Sequence, residues 1–305
     1  MRSDEPLFEP LNDSYGSIQP GLPLIVVLTG FSDAGSAVSQ LENYMESTIQ
    51  SVPVARFDTD RLLDYRSRRP TIFFQGDELT TYRPPELTLY LAQDELGQNF
   101  LLLQGFEPDF LWERFTDDVL GLVERLGVSH TTWVHSIPMP VPHTRPIGVT
   151  VSGTREDLID SLSVWKPSAQ VSATVGHLVE MRLQAGGYEV TGFVLLVSHY
   201  LAETEYPDAL LSALECITSA TGLIFPTDAI RERGREFYSK IEKQVESSPE
   251  TRRLVESLEE RHDAYMEGTI IRSPLIGDDG LLPTADQIAS ELEKFLAERH
   301  DEGEL

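Results

Sequence analysis

Cysteine is almost absent: among 305 residues there is one, Cys216. That excludes an internal disulfide and any metal site built on several thiolates. Cys216 falls among the apolar positions of a helical pattern and reads as inert packing. Basic residues are also scarce. Lys and Arg number 24 against 50 Asp and Glu, a formal charge of −26, which repels nucleic acid and anionic lipid alike. Neither is expected as a partner, whereas a neutral or basic protein surface is compatible. Long apolar runs are missing too, and no stretch approaches the length that spans a bilayer. The opening residues Met1-Arg-Ser-Asp-Glu-Pro6 have neither a basic start nor an apolar segment behind it, so no secretory signal is visible and a cytoplasmic protein is expected.

What is present is an alternation of strand-like and helix-like patterns. The β-branched run Leu24-Ile-Val-Val-Leu-Thr29 passes through Gly30-Phe-Ser-Asp-Ala-Gly35 into Ala37, Val38, Leu41, Tyr44, Met45 and Ile49, spaced as one face of a helix. In an open parallel sheet such turns gather at the carboxyl edge, where ligands bind. Strands are predicted over Val52–Phe57 and Thr71–Gln75. A hairpin is predicted from Leu87–Leu91 and Phe100–Gln104 around Asp94-Glu-Leu-Gly97. A helix over Leu111–Leu126 leads to a strand at Thr131–His135. Four prolines between Pro138 and Pro146 then predict a loop. A helix from Thr174 to Gln184, a strand from Val190 to Val197 and a helix from Pro207 to Gly222 follow.

These patterns predict three regions: an arm over 1–22, an α/β core over 23–226 and a helical lid over 227–305. In the last, Phe237, Ile241 and Val245 share one stripe, and Leu254, Val255, Leu258 and Tyr265 another, with a helix start at Ser248-Pro-Glu250 between them. A final helix is predicted from the capping-box spacing Thr284-Ala-Asp-Gln287.

Candidate ligand groups lie after the predicted strand ends. Ser32, Asp33 and Gly35 stand at a helix head, where backbone amides hold an anion or where Asp33 simply caps the helix. His135, His143, Arg145 and His199 follow other strands, with Glu107, Asp109, Ser136, Tyr200 and Glu203 near them. A histidine beside carboxylates suits acid–base work and an arginine suits an anionic group, although a histidine ending a buried strand more often serves packing. No paired-cysteine or His-Glu-x-x-His spacing is present, so no metal is expected. There is no Gly-x-Ser-x-Gly elbow and no familiar nucleotide loop, so the sequence names no catalytic residue and no cofactor. Asp64-Tyr-Arg-Ser-Arg-Arg-Pro70 concentrates positive charge. Tyr65, Arg66, Arg68 and Arg69 are candidates for gripping a phosphate or, preferably, an acidic face of a neighbouring subunit.

Taken in order, Gly30-Phe-Ser-Asp-Ala-Gly35, Leu62-Leu-Asp-Tyr-Arg-Ser-Arg-Arg-Pro70, His135-Ser-Ile-Pro-Met-Pro140 and Pro283-Thr-Ala-Asp-Gln287 resemble an actinobacterial branch of the proteasome assembly chaperone family over nearly the whole chain. The resemblance implies a three-layer α/β sandwich with a phosphorylase/hydrolase-like mixed sheet, a β-hairpin insertion used in oligomer contacts, a C-terminal helical lid over a ligand crevice, and a homotrimer. It carries no catalytic residue over. The expected function is a non-catalytic, proteasome-assembly-chaperone-like protein that binds a protein partner or a small ligand. The alternative is a phosphorylase- or hydrolase-type enzyme acting on a small anionic substrate.

Overall fold

The computed structural model describes residues 5–166, 168 and 170–270. Among these, two compact units are separated at Ser247/Ser248.

The first unit is built on an eight-stranded mixed sheet. Its strands are β1 (Phe8–Pro10), β2 (Leu24–Thr29), β3 (Gln50–Phe57), β6 (Leu87–Gln93), β7 (Asn99–Phe106), β8 (Thr131–Met139), β9 (Gly148–Gly153) and β10 (Val190–Ser198), in the spatial order β1-β3-β6-β7-β2-β8-β10-β9. The four central strands β7, β2, β8 and β10 run parallel. Antiparallel strands close both flanks. The arm contributes through β1, whose Phe8 pairs with Phe57.

Alternation along the central strands sends residues to two cores. Ile25, Val27, Phe100, Leu102, Val134, Phe193, Leu195 and Val197 face α1 (Ala37–Thr48) and α6 (Pro207–Thr221). Leu24, Val26, Leu101, Leu103 and Trp133 face α3 (Trp112–Leu126) and α5 (Val175–Ala185). Strands buried on both sides read as unbroken apolar runs, which is why β2 and β7 carry no polar alternation. Smaller helices are α2 (Thr59–Leu62) and α4 (Glu156–Leu162). Helix α7 (Asp228–Ser247) lays Phe237, Tyr238 and Ile241 on the first core. The Phe237 ring stacks on Tyr206 at 5.2 Å. Cys216 is buried on α6, and burial pushes its thiol up to about 12.

The second unit is described from α8 (Pro249–Ile270), which opens with Ser248 Oγ accepting the Thr251 amide at 3.2 Å. The helix predicted from Thr284 lies outside the described residues.

Local signals account for most of these boundaries. Pro207 starts α6, and Gly222, at φ 73°, ends it; Gly127, at φ 61°, ends α3. The hairpin predicted around Asp94–Gly97 is present: β6 pairs antiparallel with β7, within the main sheet. The protruding hairpin is a different one, in which β4 (Thr71–Gln75) pairs with β5 (Glu78–Arg83) as a separate two-stranded sheet. And the predicted strand ending at His135 runs on to Met139. The proline-rich stretch after it is a loop, as expected, and beyond it come an edge strand and a helix that the sequence pattern does not predict, β9 and α4. Pro138, opposite Val197, is accommodated near the end of β8 because β2 pairs with that strand only as far as Trp133, which leaves β10 as its one neighbour there.

Candidate functional site

Helices after β2 and β7 leave the sheet on opposite faces: α1 packs on one core, α3 on the other. The two strands are adjacent and parallel, so their carboxyl ends form a switch point where a crevice opens. The crevice has a volume of about 1100 Å³.

The turn after β2 forms its rim and is tied down at both ends. Asp33 Oδ1 accepts the Val38 amide at 2.7 Å, and Oδ2 accepts the Ser39 amide at 2.9 Å. Ser136 Oγ donates to Asp33 Oδ1 at 3.3 Å, and Ser32 Oγ donates to the Ser136 carbonyl at 3.1 Å. The amides at the head of α1 therefore already hold a carboxylate, and an incoming anion meets negative charge there. Gly35 sits at φ +69°, donates to Ala202 O at 2.8 Å and accepts from Tyr206 N at 3.0 Å. A Cβ at Gly35 would lie 3.2 Å from Val197 and Tyr206, so this residue is a stitch between the turn and α6.

Two residues missed as a pair by sequence reasoning, Glu107 and Arg68, hold the other wall. Glu107 is buried after β7. Its Oε1 accepts the Val175 amide at 2.7 Å, and its Oε2 accepts the Phe31 amide at 3.2 Å. Gly30 leaves room for it: a Cβ there would come within 2.2 Å of Glu107 Oε2. Arg68 turns inward. It donates to the Glu107 carbonyl and to Asp109 Oδ1, both at 2.5 Å, and lies 5.4 Å from the centre of the Phe106 ring. Of the other three subunit-contact candidates, Tyr65 is half-buried and donates to Asp60 Oδ1 at 2.5 Å, while Arg66 and Arg69 are exposed.

The histidine candidates divide. His135 lies within β8 on the face toward α5, its ring 6.3 Å from Trp133 and 6.1 Å from His177. Burial, helped by His177, pushes it down to about 4, with Asp33 opposing. It reaches only a void of about 20 Å³ shared with Glu107 and Ser32, room for about one water. His143 is buried in a different cluster. Its Nδ1 lies 2.6 Å from the Tyr200 hydroxyl, and its carbonyl accepts from Tyr238 at 2.5 Å. His199 is exposed, its ring edge-on to Tyr200. Arg145 donates to Thr144. Of these four residues none lines the large crevice, nor does any residue of α7. His177 caps α5 through Thr174, and Glu180 accepts from Trp133 Nε1 at 2.6 Å and from Ser152 Oγ at 2.9 Å. Among the described residues, no three His, Cys, Asp or Glu side chains are grouped to hold a metal ion.

The crevice floor carries groups that sequence reasoning did not single out. Glu42 and Glu46 lie one turn apart on α1, and Gln104 lies on β7. Gln104 Nε2 donates to Glu46 Oε1 at 3.3 Å. Burial, with Glu46 and Asp33 nearby, pushes the Glu42 carboxyl up to about 7, and the Thr29 hydroxyl offsets part of that.

Against known proteins, a model of the PAC2 family matches residues 27–245. The chain is 38% identical to the Mycobacterium tuberculosis protein of unknown function Rv2714, covering 89% of this chain and 95% of that one, with a TM-score of 0.80. It is 33% identical to a Corynebacterium glutamicum protein of unknown function, covering 86% and 98%, with a TM-score of 0.81. The M. tuberculosis proteasome-assembly chaperone homologue Rv2125 shares the fold at 18% identity, covering 77% and 100%, with a TM-score of 0.69. Among curated proteins none matches. Among the described residues no helix is long and apolar enough to cross a membrane. A mixed sheet covered on both faces, with its rim at the Gly30–Gly35 turn, and a family match over most of the sequence give one conclusion: the chain belongs to the PAC2 family.

Proposed function

We propose that this chain is a non-catalytic, proteasome-assembly-chaperone-like protein that binds a protein partner and works as a homotrimer in the cytoplasm. The observation that carries the reading is the β4–β5 hairpin. Ile72, Phe73, Phe74, Leu79 and Tyr82 are between 52% and 64% exposed on it. A two-stranded sheet is marginal alone, and a cluster of large apolar side chains exposed on one marks a protein contact. Proteins of the same fold give the contact its direction: one is a proteasome-assembly chaperone homologue, and another, from Pyrococcus furiosus, is an archaeal proteasome activator.

Support for binding over catalysis comes from how the candidate acid–base groups are used. Asp33 caps α1, Glu107 holds two backbone amides, and His135 is packed between rings. An enzyme acting on a small anion needs such groups uncommitted. The test is association with purified proteasome subunits of the source organism, with oligomeric state followed by light scattering. Wild type is expected to bind, and the double variant Phe73→Ser/Phe74→Ser to lose binding. A wild-type trimer that binds no proteasome subunit overturns the proposal.

A further inference from the structure

The crevice floor carries a buried amide oxygen that lacks an opposing donor. Gln104 is 4% exposed and lines the crevice, yet its Oε1 has no hydrogen-bond partner. Its amide orientation is set by Glu46, because a carboxylate only accepts and so takes the Nε2 end. A buried amide oxygen left unmatched is destabilising, so the site is arranged for something that donates to it. Beside it stand the Glu42 and Glu46 carboxylates, one helical turn apart on one face of α1. Arg68, on the far wall, is already engaged with Asp109 and the Glu107 carbonyl.

We infer that the crevice binds a primary alkylammonium group, its three N–H donors directed to Glu42, Glu46 and Gln104 Oε1. The ammonium is compact and carries three donors and no acceptor, which suits a floor holding two carboxyl groups and an unpartnered amide oxygen. A hard divalent ion suits the floor less well, since calcium and magnesium take six or more oxygens and the remaining carboxylates of the wall are engaged with backbone amides, Arg68 or Arg56. An anion is disfavoured by the same carboxylates. The half-buried Tyr90 ring beside the floor gives the alkyl stem an apolar track toward the mouth, where Phe31 is 72% exposed. This assignment goes beyond the partner role of the hairpin and does not depend on it.

The chemistry has two sources, a free diamine or polyamine and a lysine side chain. Calorimetric titration of the full chain at low ionic strength with 1,4-diaminobutane, spermidine and Nα-acetyl-lysine-amide separates them. At least one is expected to bind at one site per chain, and Glu46→Gln and Gln104→Leu to weaken it tenfold or more. Glu42→Gln is expected to weaken it similarly while raising the melting temperature, so lost binding cannot be read as lost folding. The α8 variant Glu256→Gln/Glu259→Gln controls for diffuse attraction to an acidic protein and is expected to bind as wild type. Tetramethylammonium, equal in charge but without N–H donors, is expected not to bind. Binding of tetramethylammonium at comparable strength, unchanged affinity in Glu46→Gln and Gln104→Leu, or absence of binding by all three amines each overturns the inference. None of these outcomes bears on whether the hairpin binds a partner.

Discussion

The crevice rim and the β4–β5 hairpin are opposites. At the rim, polar side chains meet groups from distant parts of the chain: Asp33 with Ser136, Glu107 with Val175, Arg68 with Thr29. On the hairpin, the large apolar side chains lie in solvent and the strands pair only with each other. The difference separates what holds the fold from what waits for another molecule. A polar group buried at the rim is stabilising only while its partner is present, whereas an exposed phenylalanine contributes little to its own chain.

That contrast yields an ordered series of expectations. The largest effect is expected at Glu107→Ala, which strands the Phe31 and Val175 amides; about 3–4 kcal/mol of stability should be lost in urea unfolding. A loss as small as a surface substitution would erase the distinction between the two regions.

The next effect depends on pH. His135 takes a proton near 6.5 when unfolded and only near 4 in the fold, so its contribution is present above 6.5 and lost as pH falls toward 4, by up to about 3 kcal/mol. Glu42 works in the opposite sense. Its carboxyl is protonated below about 7 in the fold but only below 4.5 when unfolded, so that contribution is lost as pH rises through 7. Between 4.5 and 6.5 the two slopes oppose. Chemical denaturation at several pH values should therefore show a steeper acid-side loss in Glu42→Gln than in wild type, and adding His135→Gln should flatten it.

Gly30→Ala comes third, at about 2 kcal/mol, because its Cβ meets Glu107, which is anchored at both oxygens. The smallest effect is expected on the hairpin. Phe73→Ser and Phe74→Ser should shift the stability of the dilute monomer by less than about 0.5 kcal/mol while abolishing self-association or partner binding. A large loss of monomer stability would place those rings in the fold after all.

Legibility followed the range of the interactions. The β2-turn-α1 unit, the apolar stripe of α3 and the capped ends of α6 were readable because periodicity, proline and glycine act within a few residues. The edge strand β9 was not, since Gly148–Gly153 is held in register by β10, some forty residues along the chain. The second strand of the protruding hairpin was missed for a related reason. Its residues carry no alternation, because neither face is buried. At the site, Asp33 and Ser32 were identified from their place in the turn. Glu42, Glu46 and Gln104 were not, because nothing in α1 or β7 alone says which edge of each is left uncovered.

By itself the sequence determined the elements of the central sheet, the switch from strand to helix at Gly30–Gly35, and a strongly acidic surface. These follow from side-chain spacing, backbone preference and charge, all of which act locally or sum over the chain. Only the tertiary structure decided that Arg68 turns inward, that His135 packs against α5 while His143 joins Tyr200, and that the crevice floor carries an unpartnered amide oxygen. Those outcomes depend on which residues of separate strands are brought side by side, and burial assigns each polar group a partner or leaves it without one only after the chain has closed on itself.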